Sequence, residues 1–244
     1  MSAWENTGLL EGDIMTYNRK ARNGVIDDTY RWPNATIPLF IQEKHFNETE
    51  VELIIQAIRD YHTMTCLRFK PYEVSDDNWV VITGNQWGCW SSIGMQGVGG
   101  QHLNLQTGSK CMTKGTVIHE LLHAAGFLHQ HSASNRDDFI EILWENVFPP
   151  QKSSFRKIPA TSITDFNTTY DYASILHYSA KAFSKNGEPT IVPLQNITVV
   201  LGQRKGFSVI DIHKVNQMYE EFCHPPDDVE ESMSDLEWFR TLFN

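Results

Sequence analysis

The clearest pattern of apolar and polar positions follows Asn47. This residue type caps helices, and Glu50 stands three positions later, where a capping box carries its acid. Apolar residues then recur at the i, i+3, i+4 and i+7 spacing that forms one face of a helix. These residues are Val51, Ile54, Ile55 and Ile58. The pattern predicts an amphipathic helix that packs on a sheet.

A similar pattern predicts a helix near the C-terminus. Ser208 is the candidate cap, and Asp211 is the third residue after it. The apolar positions that follow are Ile212, Val215, Tyr219 and Phe222. The last residues, 225–244, are rich in acids and form a solvated tail in which a short terminal helix is expected around Trp238.

Strand signals lie in the first half of the chain. Short runs of β-branched and aromatic residues predict strands at 36–42, 67–71 and 79–83. The stretch 91–105 is also strand-like, and its glycines predict one bent or bulged edge strand. Beyond His129 the signals become sparse, so we expect little regular structure until Ser208.

Length and charge narrow the possible partners. The 244 residues suffice for one domain, or for two lobes around a cleft. The formal net charge of -10 argues against nucleic acid or an anionic membrane as a partner, because both are negatively charged. No apolar run approaches the ~20 residues that a membrane helix needs. We therefore expect neither a membrane span nor a nucleic-acid partner.

The cysteines and sequons indicate a secretory compartment. The cysteines form no CxxC motif, which favours two disulfides and leaves three pairings open; they are Cys66, Cys89, Cys111 and Cys223. Four N-x-[ST] sequons are candidate glycosylation sites, at Asn34, Asn47, Asn167 and Asn196. Disulfides form in oxidising compartments. Because MSAWENTGLL has no basic and apolar signal regions, we expect a chain without its signal peptide, the alternative being a cytosolic thiol protein.

The stretch HELLHAAGFLHQH, residues 119 to 131, has the spacing of a metal site. His119 and His123 are four residues apart and project from one face of a helix, so both can bind one ion. A third ligand further along the same helix could not reach that ion. Gly126 allows the chain to turn, because glycine adopts the left-handed conformation that ends helices, and His129 could then return to the metal.

The composition of this motif is typical of catalytic zinc. Three imidazoles leave a fourth position open for water, whereas structural zinc sites usually close with four protein ligands that include cysteine. Glu120 lies beside the metal without binding it and could remove a proton from the activated water. The full HExxHxxGxxH pattern is specific, and the alternative is a polar helix with surface histidines.

Several separated stretches resemble the astacins, zinc endopeptidases of the metzincin group. They are the HExxHxxGxxH motif, GCWSSIGMQGVGGQHLNL, NRDDFIEILWENV and SILHYSAKAFS, the last spanning residues 174 to 184. The resemblance runs from about Asp28 to Cys223. The dipeptide HQ after the third histidine and SILHYS are similar to arthropod members.

The resemblance implies a zinc cofactor and a role for each residue of the site. The zinc ligands would be His119, His123 and His129. Glu120 would be the general base, and Tyr178 would bind zinc in the resting enzyme and then stabilise the oxyanion. From the residue alone, without the flanking motif, a half-buried core tyrosine would be the better interpretation of Tyr178.

The resemblance also implies an architecture. The fold would be α+β and two-lobed, of the metzincin type, with an N-terminal twisted mixed sheet and two helices, including the zinc helix, and an irregular C-terminal lobe with one main helix. The disulfides would be Cys66–Cys223 and Cys89–Cys111. A protein or peptide substrate would lie antiparallel along the edge strand formed by Ser91, Ser92 and Ile93. Lys181 is a candidate for selecting acidic substrate residues.

Latency is a further implication. Residues 10 to 13, LEGD, resemble the FxGD motif of astacin pro-segments, so Asp13 would occupy the zinc in the latent form. The block Arg19-Lys20-Ala21-Arg22 offers a site for a trypsin-like activating protease, and the mature N-terminus would be Asn23. The chain would then divide into a pro-segment (1–22), a catalytic domain (23–224) and an acidic tail (225–244). The alternative is that Asp13 belongs to an ordinary loop and that the basic run is a solvated patch.

Two residues depart from the family pattern. Gln130 replaces the glutamate that anchors the new N-terminal amine, which removes the charge-assisted part of that hydrogen bond. Leu176 replaces the methionine of the Met-turn, and the two residues are close in volume. Neither change removes a ligand or the base.

Three functions remain open from the sequence. The first is a secreted zinc endopeptidase that is made as a zymogen. The second is a catalytically silent zinc-binding homologue that acts as a protein-binding module. The third is a zinc hydrolase that acts on a non-peptide amide.

Overall fold

The computed structural model describes residues 8–15 and 28–223. The basic block at 19–22, the expected N-terminus at Asn23 and the acidic tail with its expected helix lie outside the described residues. Within these ranges, no helix is both long and apolar enough to cross a bilayer.

Six strands form the main sheet, in the order β1-β5-β6-β4-β2-β3. Their bounds are Ile14–Met15 (β1), Thr36–Ile41 (β2), Arg68–Pro71 (β3), Trp79–Thr83 (β4), Cys89–Ser92 (β5) and Gly100–Leu105 (β6). Neighbouring strands are parallel except for β5 and β6, which are antiparallel. The sheet is therefore mixed, and β1 of the N-terminal segment, residues 8–15, adds to it beyond β5.

Two helices accompany this sheet, as predicted. Helix α1 (Glu48–Met64) begins at the Asn47 capping box and buries Ile54, Ile55 and Ile58. Helix α2 (Lys114–Ala124) carries His119, Glu120 and His123 and is buried over nearly its whole length. The Tyr61 hydroxyl of α1 donates to the Ile118 carbonyl of α2 at 2.7 Å, which fixes the two helices to each other.

The prediction of a single bent strand over 91–105 is wrong. The chain reverses after Ser92, and β5 and β6 pair as two antiparallel strands. The reversal is possible because Gly94, Gly97 and Gly99 have φ values of 59°, 64° and 79°, in the left-handed region that glycine enters without steric cost. The glycines mark a turn rather than a bulge.

The C-terminal half forms a second lobe. It contains a two-stranded sheet, β7 (Ile140–Ile142) with β8 (Ile191–Pro193), and helix α3 (Val209–Met218), which begins at the predicted Ser208 capping box. Its separate core surrounds Phe155, Tyr178 and Ile191. Disulfides join Cys66 to Cys223 and Cys89 to Cys111, and the first returns the end of α3 to the sheet lobe. The predicted α+β, two-lobed architecture is confirmed.

Gly115 permits α2 to pack directly against the backbone of the second lobe. A Cβ added at Gly115 would lie 1.9 Å from the carbonyl oxygen of Arg204. We therefore expect Gly115→Ala to lower the free energy of unfolding by about 3 kcal/mol, because backbone atoms must move apart. Denaturant unfolding measures this change.

Gly187→Ala is the control for the substitution itself. Gly187 has a φ of +83° and no other atom within 4 Å of an added Cβ, so only the backbone cost of ~1 kcal/mol applies. Equal losses in the two variants would show that the close approach at Gly115 is unimportant.

Candidate metal centre

Three histidines converge at the junction of the two lobes. His119 and His123 project from the same face of α2, and their Nε2 atoms are 3.1 Å apart. After α2 ends, Gly126 has a φ of 110° and the chain turns, which brings His129 back to the pair. Together with Asp13, the ligand atoms of these residues lie within 4.8 Å of one another, and all four residues are buried. The spacing argument from the sequence thus describes the geometry that is found.

The Nδ1 atom of each of the three histidines makes a hydrogen bond within the protein. The Nδ1–H of His119 donates to the Ile175 carbonyl at 2.8 Å, and that of His123 donates to the Phe127 carbonyl at 2.7 Å. The Nδ1–H of His129 donates to the Glu11 carboxylate at 2.7 Å. Because these oxygens only accept, the proton of each neutral ring is on Nδ1 and the lone pair is on Nε2. Lone pairs that face each other at 3.1 Å repel unless a cation lies between them, so the donor set fits a zinc ion.

Electrostatics favour neutral imidazoles together with one positive charge. Burial lowers the pKa of His119 to about 4 and lowers that of His123 well below its usual value, so both are in the form that binds metal. Burial also lowers the pKa of His129, but the charge of Asp13 and hydrogen bonds to Asp13 and Glu11 outweigh it and raise the pKa to about 9. Near neutral pH the positive charge of the centre is therefore on His129, between the carboxylates of Asp13 and Glu11.

Glu120 is a buried carboxylate next to His119 in α2. It is fully buried, and neither of its carboxylate oxygens has a hydrogen-bond partner among the described residues. Burial, and then the charge of Asp13, raises the pKa of this carboxyl well above its usual range. A raised carboxyl pKa suits proton transfer near neutral pH.

The N-terminal segment enters the centre as a short turn followed by β1. The turn is left-handed at Glu11 and Gly12, with φ values of 50° and 89°. Asp13 follows it and places Oδ2 at 3.1 Å from Nε2 of His119 and 3.2 Å from Nε2 of His129. Burial raises the pKa of Asp13, but the charge of His129 and the contacts with His119 and His129 lower it by more, so the carboxylate is ionised.

Glu11 is a contact that the sequence did not indicate. Its carboxylate accepts from Nδ1 of His129 and, at 2.7 Å, from the hydroxyl of Ser132. Its backbone carbonyl accepts a hydrogen bond from the Tyr178 hydroxyl. The motif position alone could not show this, because residue 11 is the variable position of LEGD.

The comparisons with known proteins agree with this geometry. A family model described as Astacin, a family of peptidases, matches residues 24–220. Zinc metalloproteinase nas-7 of Caenorhabditis elegans is 39% identical over 210 residues, which are 86% of this chain and 53% of that protein. Seminal metalloprotease 1 of Drosophila melanogaster is 38% identical over 218 residues, 87% of this chain and 86% of that one. The chain belongs to the astacin family.

A solved structure supports the same conclusion. The high choriolytic enzyme 1, a hatching enzyme zinc-protease from Oryzias latipes, superimposes with a TM-score of 0.72 at 35% identity. The match covers 80% of this chain and 96% of that chain. The chain spans about half the length of nas-7 and 34% of nas-15, another zinc metalloproteinase of Caenorhabditis elegans. These relatives are named as zinc proteinases, and the group formed by His119, His123, His129 and Asp13 has ligand types that suit this metal.

The edge of the astacin sheet is covered by the N-terminal segment. Ile14 pairs with Ser91 and Met15 pairs with Ser92, and the Ser91 amide donates to the Asp13 carbonyl at 2.9 Å. This pairing is parallel, opposite to the direction expected of substrate. Ile93 follows at the end of β5 and is buried.

The remaining predicted residues are exposed on the surface. Lys181 is exposed on the turn after Tyr178. Arg204, which the sequence did not single out, adds its charge to burial in lowering the pKa of His119, and it opposes the rise that burial causes in the pKa of Glu120. The four sequon asparagines, Asn34, Asn47, Asn167 and Asn196, are all exposed.

The turn that contains Leu176 is held by α3. Leu176 is buried in the main core, in the place where astacins have methionine, and its carbonyl accepts from the Gln130 amide at 3.1 Å. Asp211 of α3 accepts from the Ser174 hydroxyl at 2.7 Å and from the Ile175 amide at 2.9 Å. Since the Ile175 carbonyl is the acceptor for His119, Asp211 supports a zinc ligand through this turn.

We therefore expect Asp211→Asn to weaken zinc binding. The amide places a donor against groups that are themselves donors, which costs about 1–3 kcal/mol of unfolding free energy. Loss of such outer support should speed zinc transfer to a chelating dye about tenfold or more. Asp138→Asn, at an exposed position, is the matched control and should change neither quantity. Unchanged zinc transfer in Asp211→Asn would contradict the support argument.

Proposed function

We propose that this astacin is a secreted zinc-dependent endopeptidase that is made as a zymogen and hydrolyses peptide bonds of protein substrates. The observation that carries the proposal is the convergence of three imidazole nitrogens beside Glu120, a buried carboxylate whose oxygens have no hydrogen-bond partner among the described residues. A silent homologue would have no physical need for that carboxylate.

Each side chain of the centre has a distinct task in this proposal. His119, His123 and His129 hold the zinc ion, which when bound supplies the Lewis acidity that activates water and polarises the peptide carbonyl. Glu120 accepts the proton of the attacking water and delivers it to the leaving amine. Tyr178 donates a hydrogen bond to the carbonyl oxygen as negative charge develops on it.

Latency follows from the contacts of the N-terminal segment. The Asp13 carboxylate contacts the Nε2 atoms of His119 and His129, and the Glu11 carboxylate accepts a hydrogen bond from Nδ1 of His129. Strand β1 covers the edge of β5 with which a substrate would pair. Cleavage by a trypsin-like protease at 19–22 would sever this segment and leave Asn23 as the N-terminus. The same groups that the segment now engages would then become available to substrate.

Activation need not depend on an exact new N-terminus. The Gln130 side chain, in the position of the usual glutamate, already accepts a hydrogen bond from the Lys214 ammonium of α3 at 2.8 Å. Burial lowers the pKa of Lys214, although the nearby acids Asp211 and Asp171 raise it. An ammonium from within the chain therefore occupies the contact that a terminal amine would otherwise make.

The disulfides and the exposed sequons support secretion. Two disulfides join distant parts of the chain, and the four sequons are exposed and open to glycosylation. Selection of acidic substrate residues by Lys181 and the absence of a nucleic-acid partner stay predictions.

The function is tested with a quenched peptide library after trypsin treatment of the purified chain. We expect cleavage that a chelator abolishes and that added zinc restores.

Glu120→Gln should retain zinc while lowering kcat by about a thousandfold or more, because the amide cannot accept the proton. Glu141→Gln, at an exposed glutamate, is the control and should retain activity. Stoichiometric zinc without cleavage of any peptide would favour the silent homologue, and turnover of simple amides alone would favour the non-peptide hydrolase.

Latency is tested on the unprocessed chain. Asp13→Asn exchanges an anionic ligand for a neutral amide, so we expect the intact protein to gain at least about tenfold in peptide cleavage before any trypsin is added. Asp77→Asn, on an exposed loop, should leave the intact protein inactive. Full latency in Asp13→Asn would show that coverage of the sheet edge is sufficient without the carboxylate.

A further inference from the structure

His131 and Tyr178 are stacked face to face. Their ring centroids are 3.6 Å apart and their planes are inclined by 25°. Both side chains are fully buried. The stack adjoins the metal centre, because the ring centroids of His131 and Tyr178 lie 5.6 and 4.7 Å from that of His129.

The plane of the His131 ring is fixed from outside the stack. Its Nε2–H donates to the Ser154 carbonyl at 2.9 Å, and its own backbone carbonyl accepts from the Arg136 guanidinium at 3.0 Å. Its Nδ1 has no hydrogen-bond partner among the described residues. One nitrogen therefore anchors the imidazole, and the ring presents its face, rather than a polar atom, to Tyr178.

The other neighbours of Tyr178 meet it with their edges or at a tilt. Phe155 makes an edge contact at 5.7 Å with an interplanar angle of 87°, Phe183 lies at 5.7 Å and 58°, and His129 lies at 4.7 Å and 63°. These rings oppose tilting of the phenol. A stacked face permits sliding within the plane, because dispersion contacts are kept while the ring shifts.

This freedom matters because the Tyr178 hydroxyl now donates to the Glu11 carbonyl, an acceptor that leaves with the N-terminal segment. The phenol then has to point at the metal centre instead. We propose that His131 is a positioning residue, whose face holds the plane of Tyr178 while the hydroxyl moves from Glu11 to the reacting carbonyl oxygen. The inference rests on the proposed function, in which Tyr178 stabilises that oxygen.

Three variants of the processed chain test the role of the ring. His131→Gln removes the face and His131→Phe keeps it, while His213→Gln makes the same exchange at an exposed position of α3. We expect His131→Gln to lower kcat about 3- to 10-fold with KM within about twofold, as the loss of one aromatic pair predicts. His131→Phe should recover most of kcat, and His213→Gln should match the parent chain.

A spectroscopic measurement separates positioning from general destabilisation. With copper(II) in place of zinc, contact between the Tyr178 phenolate and the metal gives a visible charge-transfer band. We expect this band to be absent in Tyr178→Phe, weakened or shifted in His131→Gln, and nearly unchanged in His131→Phe. Thermal unfolding of each variant shows that it is folded, and His131→Leu replaces the glutamine variant if that one does not fold.

The outcomes distinguish this inference from the proposed function. If the parent chain cleaves no peptide, or if Tyr178→Phe retains full kcat, the proposed function of Tyr178 is wrong. If parent and Tyr178→Phe behave as expected, an unchanged kcat and copper band in His131→Gln overturn the positioning role. Equal losses in His131→Gln and His131→Phe overturn it as well, because the stacked face would then be irrelevant.

Discussion

The metal centre depends on the fixed orientation of three imidazole rings. Each Nδ1–H is donated to an oxygen from a different part of the chain, at Ile175, Phe127 and Glu11. These hydrogen bonds select the tautomer and point the Nε2 lone pairs at one another. The Ile175 and Phe127 carbonyls belong to the main part of the chain, whereas the Glu11 carboxylate belongs to the N-terminal segment.

This constraint explains why the two lobes meet where they do. The sheet lobe contributes α2, which carries His119 and His123. The second lobe contributes the Ile175 carbonyl and the aromatic rings that surround Tyr178. Helix α3 holds the Ile175 turn through Asp211 and contacts Gln130 through Lys214, and its end is joined to the sheet lobe by the Cys66–Cys223 disulfide. The irregular half of the chain is thus a support for the metal site.

The N-terminal segment pairs with the same strand edge that a substrate is expected to use, but its strand runs in the opposite direction. An exposed strand edge offers unpaired donors and acceptors, and β1 fills it by parallel pairing with β5. The left-handed turn at Glu11 and Gly12 then places two carboxylates on the two nitrogens of one ring, His129. In the proposed function, latency and catalysis therefore use the same groups, and removal of the segment would change the partners of several of them together.

Much of the site could be predicted from the sequence because its information is local. The four-residue spacing of His119 and His123, the adjacent Glu120 and the turn at Gly126 follow from the geometry of a single helix, and the capping boxes at Asn47 and Ser208 set the starts of α1 and α3. The sequence does not predict the chain reversal within 91–105, because glycines are compatible with both a bulge and a turn, and only the pairing of β5 with β6 distinguishes them.

Only the tertiary structure decided which distant groups complete the centre. Glu11, Ile175, His131 and Arg204 act across more than one element, and their types carry no spacing signal. A sequence determines what neighbours along a helix share, whereas contacts between lobes depend on how the whole chain packs.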